Sequence, residues 1–208
     1  MKNYIVEFIG TFFLVLVIGL VVSQGNPLAA VAIGAILVVL VYMGGHISGA
    51  HYNPAVSLAC LMRGAIGGKE AGLYILSQVI GAVAGAAASS ALVRKSITVA
   101  PGGDVSSMQA LGAEFLFTFA LASVVLNVAT SKDHPDNSFY GLAIGFTVLA
   151  GALAVGPISG GAFNPAVALG HNIVSSSLGN IWIYLVGPLA GGAVAAIVFR
   201  LTNPHEFE

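Results

Sequence analysis

No Asp, Glu, Lys or Arg occurs between Glu7 and Arg63, nor between Asp136 and Arg200. Charge-free stretches this long exclude most folds, because a surface facing water needs charged side chains to cover it. Only 7% of the 208 residues are charged and mean hydropathy is +0.95, against about 25% charged for an ordinary soluble domain. Lipid is therefore the expected solvent. A net charge of -1 offers nothing to a polyanion, so no nucleic acid partner is expected. Cys60 is the single cysteine, which permits neither an intrachain disulfide nor a cysteine metal cluster.

A membrane span takes about 20 mostly apolar residues, each rising 1.5 Å, to cross a core of roughly 30 Å. Such runs fall at residues 4–23, 28–45, 71–93, 109–129, 138–156 and 179–200. Glu7 inside the first run, its length and the spans behind it argue for a retained helix rather than a signal peptide. Breaks fall at Gly25-Asn26-Pro27, at Pro101-Gly102-Gly103-Asp104 and at Lys132-Asp133-His134-Pro135-Asp136-Asn137. Two further apolar stretches, 53–62 and 164–174, are too short to cross, and each begins at Asn-Pro. Proline in the first helical turn costs nothing, since its missing N–H would be unpaired there anyway. These stretches are expected to be re-entrant half-helices.

The chain repeats itself. Ile47-Ser48-Gly49 precedes Asn53-Pro54-Ala55-Val56, and Ile158-Ser159-Gly160 precedes Asn164-Pro165-Ala166-Val167. Both offsets are 111 residues (158 − 47 and 164 − 53). A weaker echo links Val6-Glu7-Phe8 with Ala113-Glu114-Phe115. Three spans per copy is an odd number, so consecutive copies lie upside down relative to one another. The expected fold class is an all-α membrane protein: six transmembrane helices plus two re-entrant half-helices in an inverted 3+3 repeat. One channel domain would occupy 1–208, with repeats at approximately 1–95 and 107–200. Lys2, Arg63, Lys69, Lys132 and Arg200 fall on one side of this arrangement, and Arg94 and Lys95 on the other. That excess places both termini in the cytoplasm. The compact loops point to a prokaryotic inner membrane.

Two half-helices of ten residues cover about 15 Å each, so end to end they match one bilayer core. Their N-termini meet at the midplane, where irregular backbone is tolerated only around a cavity or inside protein. Asn53 and Asn164 would offer amide N–H groups into a water-filled path, beside the positive ends of both helix dipoles. A permeating water or hydroxyl would turn its oxygen to them, which breaks a continuous donor chain, while the positive potential repels cations. Backbone carbonyls from Gly49, Ala50 and His51 to Tyr52, and from Gly160, Gly161 and Ala162 to Phe163, would supply acceptors along one wall. One Asn-Pro-Ala alone would read as an ordinary helix cap. Two copies in matched contexts read as a pore.

Glu7 and Glu114 are the only carboxylates inside the spans, and a carboxylate at depth costs about 2.5–3.5 kcal/mol or more unless it is paired. They could couple protons. Their matched positions favour acceptance of hydrogen bonds from the pore loops, with Ser48 and Ser159 in support. His46 and His51 could titrate near neutrality and gate by pH; the expectation is that His46 packs against the loop and that His51 lies near the cytoplasmic mouth. His171 stands alone, so no metal site is expected, and no cofactor. The pairs Gly81/Gly85 and Gly141/Gly145 read as close helix contacts.

The segment from Gly45 to Val56 resembles the first pore loop of aquaporins, and Gly160-Gly161-Ala162-Phe163-Asn164-Pro165-Ala166 resembles the second. The resemblance covers essentially the whole chain, including both early glutamates. It implies a right-handed six-helix bundle with two half-helices, assembled as a homotetramer with one pore per subunit, and no enzyme. The family's second motif normally continues with Arg, which forms the filter near the outer mouth; here Val167 follows. Equal spacing places the other filter positions at Ile33, Ala152 and Gly161. Without the guanidinium fork this constriction is wider and apolar. The expected function is a passive channel for water and small uncharged solutes such as glycerol, urea, ammonia or neutral metalloid acids. Alternatives are a strictly water-selective channel, an inverted-repeat secondary transporter, or a structural membrane protein with a closed pore.

Overall fold

In hydrocarbon each backbone N–H and C=O must find its partner within the chain, and the long apolar runs meet this demand as helices. The computed structural model describes residues 1–207. Six helices are long and apolar enough to span: α1 (Lys2–Ser23), α2 (Ala29–Ser48), α4 (Gly68–Val93), α5 (Ser107–Val125), α6 (Tyr140–Ser159) and α8 (Ile181–Thr202). Two half-length helices, α3 (Pro54–Arg63) and α7 (Pro165–Val174), lie between them. A π-helical turn, Leu126–Thr130, prolongs α5, and a short 3-10 turn, Pro204–Glu206, follows α8. The multi-pass architecture read from the sequence is the one observed.

The ends of α2 and α6 run three residues past the expected positions, for one reason. Gly-His-Ile-Ser and Gly-Pro-Ile-Ser continue each helix until a glycine in the left-handed region stops it. Gly49 (φ 84°) donates its N–H to Gly45 O, and Gly160 (φ 90°) donates to Gly156 O. A residue with a Cβ is disfavoured at such a stop, which explains why glycine stands at both.

The two halves pack alike. α1 lies on α2 and α4, α5 lies on α6 and α8, and α2 crosses α6. Each half-helix packs against the last helix of the other half, α3 on α8 and α7 on α4. The start of α1, the end of α8, the α3–α4 connection and the α5–α6 connection lie on one face, called here the termini face. The α1–α2, α4–α5 and α7–α8 connections lie on the opposite face.

Small residues let these helices approach closely, as lipid-immersed bundles require. A Cβ on Gly81 would stand 2.5 Å from Phe8 O, and one on Gly85 2.4 Å from Phe12 O. At the α2–α6 crossing a Cβ on Gly34 would lie 2.9 Å from Gly145 O, and one on Gly145 2.6 Å from Gly34 O. Gly85→Ala and Gly145→Ala are therefore expected to destabilise by about 2 kcal/mol through overpacking. Thermal unfolding in detergent checks this, with Gly72→Ala as control, since nothing lies within 4 Å of that position.

Candidate functional site

Each re-entrant loop turns sharply from a spanning helix into a half-helix. Gly49, Ala50 and Tyr52 have positive φ, and so do Gly160, Gly161 and Phe163. Left-handed backbone at non-glycine residues costs about 1–3 kcal/mol each and persists only where surroundings hold it. Two carboxylates provide the hold. Glu7 Oε1 accepts from Ser48 Oγ (2.7 Å) and His51 N (3.0 Å), and its Oε2 accepts from Tyr52 N (2.7 Å) and Gln78 Nε2 (2.8 Å). Glu114 Oε1 accepts from Ser159 Oγ (2.8 Å) and Ala162 N (3.0 Å), and its Oε2 from Phe163 N (2.7 Å). Tyr74 and Tyr184 close the arrangement by donating their hydroxyls to Ser48 O and Ser159 O. Both glutamates are fully buried, and neither lies on the cavity wall.

The half-helices meet through their first residues. Asn53 Oδ1 caps α3 by accepting from Ala55 N (2.9 Å), and Asn164 Oδ1 caps α7 by accepting from Ala166 N (2.9 Å). Their amides cross between the halves. Asn53 Nδ2 donates to Phe163 O and Asn164 Nδ2 donates to Tyr52 O, both at 2.8 Å. An amide carries two N–H groups, so one per asparagine is left for the cavity that both residues line. The carbonyls of Tyr52 and Phe163, expected from the sequence as acceptors, each accept one of these cross-links. Pro54, Ala55, Pro165 and Ala166 are buried in the first turns of the half-helices and do not line the cavity.

The cavity has a volume of about 320 Å³ and runs from the asparagines toward the opposite face. Ile33, Ala152, Gly161 and Val167 all line it, together with apolar side chains such as Leu14, Ile18, Leu121 and Val148. Among the described residues no Asp, Glu, Lys or Arg lines it. Ala50, His51, Gly160 and Ala162 do. Gly49 does not: it lines a second cavity of about 380 Å³ on the termini face, beneath residues 131–137.

Both histidine placements need correction. His46 is exposed and borders the second cavity, so it does not support the pore loop. It sits on α2 before the chain turns, and the loop's buried side is already filled by Glu7 and Tyr74. His51 is buried (8% exposed) rather than at a mouth. Its Nδ1 lies 3.1 Å from Ser57 Oγ, and its ring meets Tyr74 edge-on. The turn that brings His51 N–H to Glu7 also tucks its ring inward.

Several contributors escaped sequence reading. Gln78 bridges Glu7 and Ser57 Oγ (2.9 Å) from α4. Asn172 binds the α4–α5 connection. Arg63, at the end of α3, pairs with the buried Glu206 carboxylate, which also accepts from Ser131 Oγ and Lys132 N. Gln and Asn lie in apolar helices where only their polarity could have marked them, and the Arg63–Glu206 pair spans 143 residues.

The profile described as major intrinsic protein matches residues 1–199. The glycerol uptake facilitator protein-like 6 of Lactiplantibacillus plantarum is 37% identical over 99% of this chain and 100% of its own length. Aquaporin NIP1-3 of Oryza sativa is 37% identical over 96% of this chain and 73% of its own. The fold matches the X-ray structure of the aquaglyceroporin from Plasmodium falciparum with a TM-score of 0.89 at 20% identity, covering 99% and 98% of the two chains.

Proposed function

The chain belongs to the major intrinsic protein family, and from that premise we propose a passive channel for water and small uncharged solutes, with glycerol and urea the first candidates. The observation that carries this reading is the cavity wall. Two asparagine amides supply donors at its inner end, and Ile33, Ala152, Gly161 and Val167 bring neither a charge nor a side-chain donor. A molecule with several hydroxyls loses part of its hydration there and regains hydrogen bonds from the asparagines and loop backbone. An ion has no compensating charge and faces the positive ends of two helix dipoles. Glycerol also appears in the name of the Lactiplantibacillus relative, which is similar over its full length.

A coupled transporter needs a titrating group on the path. Glu7 and Glu114 are engaged by the pore loops and do not line the cavity, which counts against either as a coupling carboxylate.

Both termini belong in the cytoplasm by the excess of Lys and Arg on the termini face, as in a prokaryotic inner membrane. The asparagine-to-opposite-face cavity then opens outward. The likeness to aquaporins supports a homotetramer, and exposed apolar side chains such as Leu76, Ile80, Leu142 and Phe146 suit contact with lipid or with neighbouring copies.

Stopped-flow light scattering of proteoliposomes tests the function. Water, glycerol and urea should all exceed the flux through empty vesicles, and water flux with exclusion of both solutes would overturn the wide-pore reading. Val167→Arg should lower glycerol flux by about tenfold, a barrier increase of roughly 1.4 kcal/mol, with a smaller loss for water. An equal loss of both would remove Val167 from the filter.

A further inference from the structure

The α4–α5 connection, residues 94–106, has no regular structure of its own, yet it is fastened at four points. Lys95 Nζ donates to Ser23 O (3.0 Å), Thr98 Oγ1 donates to Ser175 Oγ (3.0 Å), and Gly102 N donates to Ile158 O (3.0 Å). The fourth is a two-way clamp: Val99 N donates to Asn172 Oδ1 (2.8 Å), and Asn172 Nδ2 donates to Val99 O (3.0 Å). Asn172 is fully buried and sits on α7, five residues beyond Val167. Ile97, Thr98 and Val99 line the same cavity as Val167 and Ile33.

From this arrangement we propose that residues 97–99 are a fixed wall of the opposite-face constriction, and that Asn172 is the positioning residue that sets its aperture and hence the largest polyol admitted. The inference rests on the channel reading above and extends it. One short helix thereby defines two sides of the opening. Val167 projects into it directly, and Asn172 holds the facing segment at a fixed distance. An amide suits this task because it pairs with both the N–H and the C=O of one residue, as a neighbouring strand would. A side chain with only one of those functions leaves a buried backbone group unpaired. Where a filter lacks a large charged side chain, the width depends on how firmly the remaining walls are held.

The test compares glycerol, erythritol and xylitol fluxes in proteoliposomes of the full chain. Wild type should pass glycerol and exclude xylitol. Asn172→Ala should raise the erythritol-to-glycerol ratio several-fold and lower the melting temperature, because the N–H and C=O of buried Val99 lose their partner. A Thr98→Cys, Ser175→Cys pair in the Asn172→Ala background should restore the wild-type ratio when oxidised and lose it again on reduction; the native Cys60 is buried and stays apart. Uniform scaling of all fluxes by Asn172→Ala, or a raised ratio indifferent to the cross-link, would overturn the proposal. If Asn172→Ala does not fold, Ile97→Ala decides, since it trims the same wall with the clamp intact and should raise the same ratio. An unchanged ratio there would refute the wall. A wild type that passes no glycerol would instead refute the channel reading itself.

Discussion

Glu7→Gln is expected to abolish flux and to remove most folded protein from detergent extracts, with Glu114→Gln a milder version of the same defect. The carboxylate of Glu7 accepts four hydrogen bonds, from Ser48 Oγ, His51 N, Tyr52 N and Gln78 Nε2. An amide offers one acceptor oxygen and turns an NH₂ toward groups that themselves donate, so at least one buried N–H is left without a partner. Each such orphan costs about 1–3 kcal/mol, and the charge-assisted bonds lost were worth about 1.5–3 kcal/mol apiece. The positive φ of Ala50 and Tyr52 then loses part of what holds it. A total of several kcal/mol is a large part of the stability of any membrane domain this size. The two glutamates differ because Tyr74 and Tyr184 occupy matching places 110 residues apart (184 − 74), which puts Pro188 where Gln78 would be. Glu114 accordingly accepts three bonds. Monodispersity on size exclusion and melting in detergent measure the effect; wild-type behaviour of Glu7→Gln would show that the loops hold themselves.

The second large effect is expected at the asparagines. Asn164→Asp keeps the cap, because a carboxylate still accepts from Ala166 N. It loses the donor to Tyr52 O and sets an oxygen where the amide nitrogen now lies 2.8 Å from that carbonyl. It also places a negative charge between two positive helix ends. Glycerol flux should fall by about tenfold, as expected for about 1.4 kcal/mol of lost hydrogen bonding to the passing hydroxyl. Proton leak should rise, since the electrostatic barrier is neutralised. Asn53→Asp, which loses the matching bond to Phe163 O, should behave alike. Dissipation of a pH gradient in proteoliposomes reads the leak. A tight membrane with undiminished glycerol flux would mean the amides do not govern passage.

The spans were legible because lipid leaves so few choices. A run of twenty apolar residues without a charge has to be helical, and Asn-Pro has to open a helix rather than interrupt one. The boundaries were less so, since the stop of α2 lies at a left-handed glycine, Gly49, that periodicity does not reveal. Glu7 and Glu114 could be paired with the loops from the repeat alone. His46 and His51 could not be placed, because five residues apart across a helix end leaves their directions to the turn geometry. Gln78, Asn172 and the partnership of Arg63 with Glu206 are tertiary facts. Each joins segments far apart in sequence, and nothing local to any one of them announces its partner. The α4–α5 connection read as a break marked by Pro101-Gly102-Gly103, and only its tethers show that it is a wall.

On the proposed function, this pore admits neutral hydroxyl-bearing solutes while excluding charge. Glycerol-driven swelling and proton influx, followed together in the same proteoliposomes of the wild-type chain, test it most directly. Swelling should be far faster than in empty vesicles, with proton influx no greater than theirs. Absence of glycerol-driven swelling, or swelling accompanied by a matching proton leak, would contradict it.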